Sequence, residues 1–379
     1  MARNKGKSRD RVKDWGQQYA SQEGFEHEGA PRKSFTKREF KLPKRELSVG
    51  AEEVRDLPRK EGMVTGQFPG GAMVRLGSDQ LLCQIGGTFR APEGSTALTL
   101  GDVVTVAVIR PEHQDGRLAL DKERADGVII ERRARQTALC RPQPRGGKRR
   151  DAAEAGAFEK VIAANMEVLA IVAATSRPAM KPGLIDRFLI IAERGGLRPI
   201  LVINKIDLAP ADEHRLAHFS EMGLDILRCS AATGEGLDGL AARLAGRQSV
   251  LAGASGVGKS ALINAIVPGA DAATREVRRK DDRGRHTTTN AAIYDLPGGG
   301  MIVDTPGLRE LGLAIGAEEL PWYFPEFEAI AGGCRFGNCT HTHEPDCAVI
   351  AAVQQGSIPP RRYDSYLNIR QTLRRARRQ

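Results

Sequence analysis

The chain has 379 residues, of which 41% are hydrophobic, 27% charged and only 5% aromatic, with a formal net charge of +10. That length allows two or three domains. No apolar run approaches the ~20 residues that a membrane helix needs, and the start, Met1–Lys7, has no apolar stretch of the kind an export signal carries, so a cytoplasmic, membrane-free protein is expected.

The charge is concentrated at the ends. Residues 1–60 carry 16 Lys/Arg against 10 Asp/Glu, and residues 361–379 carry seven Arg against one Asp. Basic arms on a near-neutral body point to a polyanionic partner such as RNA. Residues 1–58 lack apolar periodicity and read as a basic arm that stays disordered until bound.

A small β domain is expected over residues 59–113. Short apolar segments beginning at Gly62, Ala72, Gln80 and Asp102 alternate with Gly/Pro/Ser turns. The spacing fits a five-stranded OB-fold, whose strand face and loops commonly bind RNA. By pattern alone an SH3-like barrel fits nearly as well. Residues 114–147 follow as a basic linker, with Pro and Gly concentrated towards its end.

A GTPase domain is expected over residues 148–310, where an αβ alternation from Val161 to Asp304 carries a complete set of guanine-nucleotide motifs. Asn204, Lys205 and Asp207 close the apolar strand Pro199–Ile203, the end at which doubly wound sheets bind ligands. The Asp207 carboxylate can accept from N1 and N2 of guanine, a pair that adenine lacks, and such a site rejects the wrong base strongly. Asn204 and Lys205 brace the loop. In Ser230-Ala231-Ala232 the Ala231 amide reaches guanine O6. Gly253, Ala254, Ser255, Gly256, Val257, Gly258, Lys259 and Ser260, with Ala261 opening the next helix, form a phosphate loop. Its backbone N–H groups turn onto phosphate oxygens, Lys259 reaches the β- and γ-phosphates, and the Ser260 hydroxyl ligates Mg²⁺. Asp304 ends the strand from Met301 and holds Mg²⁺ through water, Gly307 senses the γ-phosphate, and Thr288, among Thr287–Thr289, completes the Mg²⁺ shell. Leu308 stands where a water-orienting glutamine is usual. His286 is the nearest polar candidate for that task, or else a phosphate-contacting residue of a basic loop.

The order of these motifs is unusual. The base-reading residues precede the phosphate loop, so the GTPase fold is expected to be circularly permuted. The expectation is thus a multidomain chain: OB-fold β-barrel, circularly permuted P-loop α/β GTPase domain and, over 311–379, a mostly helical zinc-binding domain with a basic C-terminal helix.

The last part rests on Cys334, Cys339, His341 and Cys347, three thiols and an imidazole within fourteen residues. Such a set suits a closed, structural tetrahedral Zn²⁺. His343 is a rival for the imidazole position.

These features resemble the bacterial ribosome small-subunit-dependent GTPase A family, over about residues 59–360. The resemblance lies in the order of the three parts and in local runs: Cys83–Arg90, Leu100–Val103, Asn165, Leu184–Leu189, Gly284–Thr289 and Glu344–Val349. One departure is Glu167, where the family usually has aspartate. The resemblance implies a GTP phosphohydrolase that binds the 30S subunit and its 16S rRNA late in maturation and turns over faster on the subunit. It also places the zinc ligands on Cys334, Cys339, His341 and Cys347. A monomer is expected. A GTP switch acting on a protein partner without RNA, and a large-subunit assembly GTPase, are the competing readings.

Overall fold

The computed structural model describes residues 53–68, 70–90, 98–109, 125–142, 159–270, 292–304 and 312–378. The basic arm up to residue 52, and with it His286, Thr287–Thr289, Gly307 and Leu308, lies outside the described residues.

After a single 3₁₀ turn, five strands close into a barrel: β1 (Arg59–Phe68), β2 (Gly71–Leu76), β3 (Asp79–Arg90), β4 (Val103–Val108) and β5 (Gly127–Arg132), in the order β1-β2-β3-β5-β4. β1 pairs antiparallel with both β2 and β4, and β3 runs parallel to β5. That is the Greek-key closure of an OB-like barrel, which decides against the SH3-like alternative. The inward positions Val64, Val74, Leu81, Val104, Val106 and Ile129 are fully buried and form a core of their own. The fifth strand falls inside the segment expected as a linker. Its apolar Val128-Ile129-Ile130 is short and flanked by charge, which hides its strand character.

An antiparallel hairpin follows, β6 (Ala138–Pro142) with β7 (Glu159–Ala164). The main sheet comprises β8 (Val168–Ala174), β9 (Arg198–Asn204), β10 (Asp225–Arg228), β11 (Arg247–Ala252), β12 (Ala292–Asp295) and β13 (Gly300–Asp304). Its order is β10-β9-β8-β11-β13-β12, parallel except for the edge strand β12. β8 is buried at every position, as a strand covered on both faces must be.

Among the described residues, four helices accompany the sheet: α1 (Pro182–Gly195), α2 (Glu213–Glu221), α3 (Leu237–Leu244) and α4 (Lys259–Ile266). α1 starts on Pro182, whose missing N–H costs nothing there, and ends on left-handed Gly196. The C-terminal part adds a 3₁₀ turn, Leu320–Tyr323, then α5 (Pro325–Ala331), α6 (Ala348–Gln354) and the 19-residue α7 (Pro360–Arg378). Phe324, Phe327, Val349, Ile358, Tyr366 and Ile369 belong to the same buried cluster as Ile185, Phe188, Leu216 and Phe219 of α1 and α2.

Candidate nucleotide site and metal centre

The sheet order sets β9, β8 and β11 side by side, so their C-terminal ends bring three loops together. Asn204, the last residue of β9 and 1% exposed, links two of them. Its Nδ2 donates to the carbonyl of Val257 at 2.9 Å, and its Oδ1 accepts from the N–H of Ala231 at 3.1 Å. One amide therefore ties the phosphate loop to the Ser230–Ala232 loop. Lys205 follows with φ of 64°, a left-handed conformation uncommon for a residue with a side chain. Its ammonium donates to the carbonyls of Gly256, at 2.7 Å, and Arg177. The Ser230 hydroxyl donates to Asp207 Oδ1 at 2.5 Å and accepts from the N–H groups of Ala232 and Thr233. The Asp207 carboxylate is thus oriented from the neighbouring loop.

The phosphate loop runs from Gly253 to Ser260 between β11 and α4. Gly258 has φ of 98°, and a Cβ there would collide with the Asn204 amide. Only glycine lets the two loops approach this closely. Lys259 is 7% exposed, and its ammonium donates to the carbonyls of Gly253 and Ala254, each at 2.8 Å. Ala254 is half-buried and Val257 buried, while Ser255, Gly256, Ser260 and Ala261 are exposed at the mouth. Asp304 ends β13 next to β11, one residue past the Val250–Val303 pair. Ser260, on the helix that follows β11, and Asp304, at the end of the neighbouring strand β13, offer the hydroxyl and carboxylate that suit a hard divalent cation.

The second cluster brings Cys334, Cys339, His341 and Cys347 together, with all four donor atoms within 4.8 Å of one another. Cys334 Sγ lies 3.9 Å from Cys347 Sγ and 3.6 Å from His341 Nδ1, which is 3.4 Å from Cys347 Sγ. Ligands on a tetrahedron with metal–sulfur bonds of about 2.3 Å stand roughly 3.8 Å apart, so the donors fit a metal ion of that size. The six cysteines of the chain are all free thiols. His343 is outside the cluster, with Nδ1 2.8 Å from Thr342 Oγ1.

The ligand loop is held from several sides. Glu344 accepts from the N–H groups of Thr340, Thr342 and His343 at 2.9, 3.0 and 3.2 Å. Burial alone would raise its carboxyl, but these hydrogen bonds and that of the Thr340 hydroxyl hold it well below the usual range. The hydroxyls of Tyr363 and Tyr366 on α7 donate to the carbonyls of His341 and Thr340, and the Phe327 ring meets the His341 ring edge-on at 5.8 Å. Burial first, then Arg370, depresses His341 against the opposing pull of Glu344, favouring the neutral imidazole that ligates metal.

Two groups of residues to which the sequence assigned no structural role hold the parts together. At the barrel, Asp102 is fully buried and accepts from Arg135 through both Nε and Nη2, and from the Thr99 N–H at 2.6 Å. Asn165, with φ of 56°, donates to the Gly101 carbonyl and accepts from the Gln136 N–H. At the other end, fully buried Asp186 of α1 accepts from Arg362 Nη1 at 2.7 Å, while Arg362 Nε donates to Glu326 and its guanidinium lies 4.1 Å over the Phe324 ring. Arg362 is therefore built into the interior, although a basic helix suggests a solvent-facing arginine. Arg370 likewise donates inward, to the Ala317 carbonyl. No local signal marks a pair 176 residues apart.

A protein of Gemmatimonas aurantiaca named "Small ribosomal subunit biogenesis GTPase RsgA" is 42% identical over 284 residues, covering 74% of this chain and 86% of the relative. The chain belongs to the RsgA GTPase family. The family profile of RsgA GTPases matches residues 133–314. A relative of the same name from Ectopseudomonas mendocina is 37% identical over 336 residues, 86% of this chain and 90% of the relative. Among solved structures, YjeQ from Thermotoga maritima aligns with a TM-score of 0.61 and 30% identity, covering 83% of this chain and 99% of that one. YloQ, described as a circularly permuted GTPase, aligns at 0.58 with 25% identity, covering 84% and 96%. As an RsgA-family GTPase the chain hydrolyses GTP to GDP and phosphate, with the Mg²⁺ that this class of reaction uses. No helix among the described residues is long and apolar enough to cross a membrane.

Proposed function

We propose that this RsgA-family GTPase binds the small (30S) ribosomal subunit through 16S rRNA and acts in its late assembly, with the subunit accelerating hydrolysis. It would work in the cytoplasm as a monomer. Support comes from the names of the relatives, which are small-subunit biogenesis GTPases, and from the basic ends of the chain. The observation that carries the nucleotide part is the Asn204 amide joined to both the phosphate loop and the Ala231 loop. Phosphate and base are then read by one connected unit.

In this reading Asp207 accepts from guanine N1 and N2, the Ala231 N–H reaches O6, and Ser230 and Ala232 hold that loop in place. The N–H groups of Gly253–Ala261 cradle the phosphates. Lys259 leaves the carbonyls of Gly253 and Ala254 for the β- and γ-phosphate oxygens. Ser260, Asp304 and Thr288 hold the Mg²⁺, which neutralises charge on the phosphates. Gly307 reports the γ-phosphate, and His286 orients the attacking water that Leu308 leaves unguided. Cys334, Cys339, His341 and Cys347 hold one structural Zn²⁺.

The test is GTP turnover with and without purified 30S subunits. Slow hydrolysis alone, strong stimulation by 30S, and loss of stimulation at high salt are expected, since phosphate contacts are salt-sensitive. His286→Ala should lower the stimulated rate more than GTP affinity. Turnover that is fast alone and indifferent to 30S would refute the reading, as would ATP competing as well as GTP.

A further inference from the structure

The loop that leaves β8 lies between the base-reading and phosphate loops, because β8 is paired with β9 on one side and β11 on the other. Its first residue, half-buried Thr175, makes two bonds to the turn after β9. The Thr175 N–H donates to the Asn204 carbonyl at 3.1 Å, and the Thr175 hydroxyl donates to the Lys205 carbonyl at 2.6 Å. The same Lys205 carbonyl accepts the Leu208 N–H at 3.0 Å, which closes the turn containing Asp207. Lys205 is in the left-handed conformation, with φ of 64°. A residue with a side chain keeps that geometry only where its surroundings over-determine it, and the Thr175 hydroxyl is bonded to the carbonyl of this strained residue.

The reach goes further. With its backbone so held, Lys205 extends its ammonium back over the β8 loop to the Arg177 carbonyl and across to the Gly256 carbonyl of the phosphate loop. Pro178 stands against Gly256 from the same side; a Cβ on Gly256 would lie 3.5 Å from its Cδ. We infer that Thr175 is a positioning residue of the guanine site, fixing the Lys205–Leu208 turn so that Asp207 meets the base and Lys205 spans to the phosphate loop. This rests on the guanine reading of Asp207 given above. Thr175 itself acts through Asn204 and Lys205.

Two near-isosteric substitutions separate the hydroxyl from the shape. Thr175→Val keeps the branched volume and removes the donor, whereas Thr175→Ser keeps the donor and removes a methyl. Titration of a fluorescent GDP analogue, with competition by GTP, GDP and ATP, gives the affinities. Thr175→Val should weaken GTP and GDP alike by about fivefold, the value of one net hydrogen bond, with Thr175→Ser within about twofold of the unaltered protein. In turnover, KM for GTP should rise several-fold more than kcat falls. The inference is overturned if Thr175→Val binds as the unaltered protein does, if Thr175→Ser is as weak as Thr175→Val, or if kcat carries the loss. If the unaltered protein shows no preference for GTP over ATP, the base reading itself fails and this inference falls with it.

Discussion

The barrel and the C-terminal module are attached to the same GTPase in opposite ways. The barrel has a closed core of its own. It meets the rest through polar contacts, Asn165 to Gly101, the Thr99 hydroxyl to the Val161 carbonyl and Arg75 to Asp295 on β12, and through Leu100, which packs into the main buried cluster. Among the described residues, the C-terminal module has no separate core. Its aromatic residues complete the cluster begun by α1 and α2, and Arg362 reaches into it to pair with Asp186. A module that brings its own core can shift on its attachment without unfolding. One that shares a core stands or falls with its neighbour.

The largest effect should come from the metal. Cys339→Ser, or prolonged chelation, should remove one zinc per chain and lower the main melting transition by roughly 10 °C or more, because a segment this short depends on its metal to fold. The barrel, with its independent core, should be affected least. Metal analysis and calorimetry check this, and purified protein without zinc would contradict it.

Next in size is the buried ion pair. Asp186→Ala leaves the Arg362 guanidinium, 1% exposed, without its carboxylate. A loss of about 3–5 kcal/mol is expected from uncovering a buried charge in this way. Denaturant unfolding should show it in the shared core. An effect below about 1 kcal/mol would mean that Glu326 alone satisfies Arg362.

The barrel attachment should behave differently. Arg75 and Asp295 pair at 2.5 Å with 18% and 66% of their side chains exposed. Arg75→Ala should cost under about 1 kcal/mol of stability. What should change is the barrel's freedom, seen as faster hydrogen exchange in β12 and β2. Unchanged exchange there would remove the distinction between the two attachments.

The smallest effect is a pH dependence at the shared core. Burial first, then Arg362 and Arg361, pushes half-buried His218 below its ordinary 6.5, with Glu326 and Asp186 pulling the other way. The unfolded chain therefore binds this proton more readily than the folded one. Stability should be intact above pH 6.5 and decline as pH falls below it. His218→Gln should flatten that slope.

The parts of the site that were legible in the sequence are those whose chemistry demands fixed spacing within one segment. The phosphate loop needs its glycines at set positions, so Gly253–Ser260 declared itself, and Cys334–Cys347 did the same through ligand spacing. The sheet was legible where a strand buried on both faces, such as β9, reads as an unbroken apolar run. What stayed hidden depends on residues brought together from afar. Thr175 looks like any polar residue after a strand, and Arg362 like any arginine in a basic helix. The fifth barrel strand was obscured because its apolar stretch is short and lies beside Glu131, Arg132 and Arg133.

The order of strands also says something about how the sheet can be built during synthesis. β8 emerges first and sits in the interior of the sheet, β9 and β10 then add outward on one side, and β11, β13 and β12 extend the other. No strand has to slot between two that are already paired. A nascent chain can therefore complete the Asp207 turn and the Ser230–Ala232 loop while residues 253–260 are still unmade, and the Asn204 bond to Val257 forms only once β11 has been added.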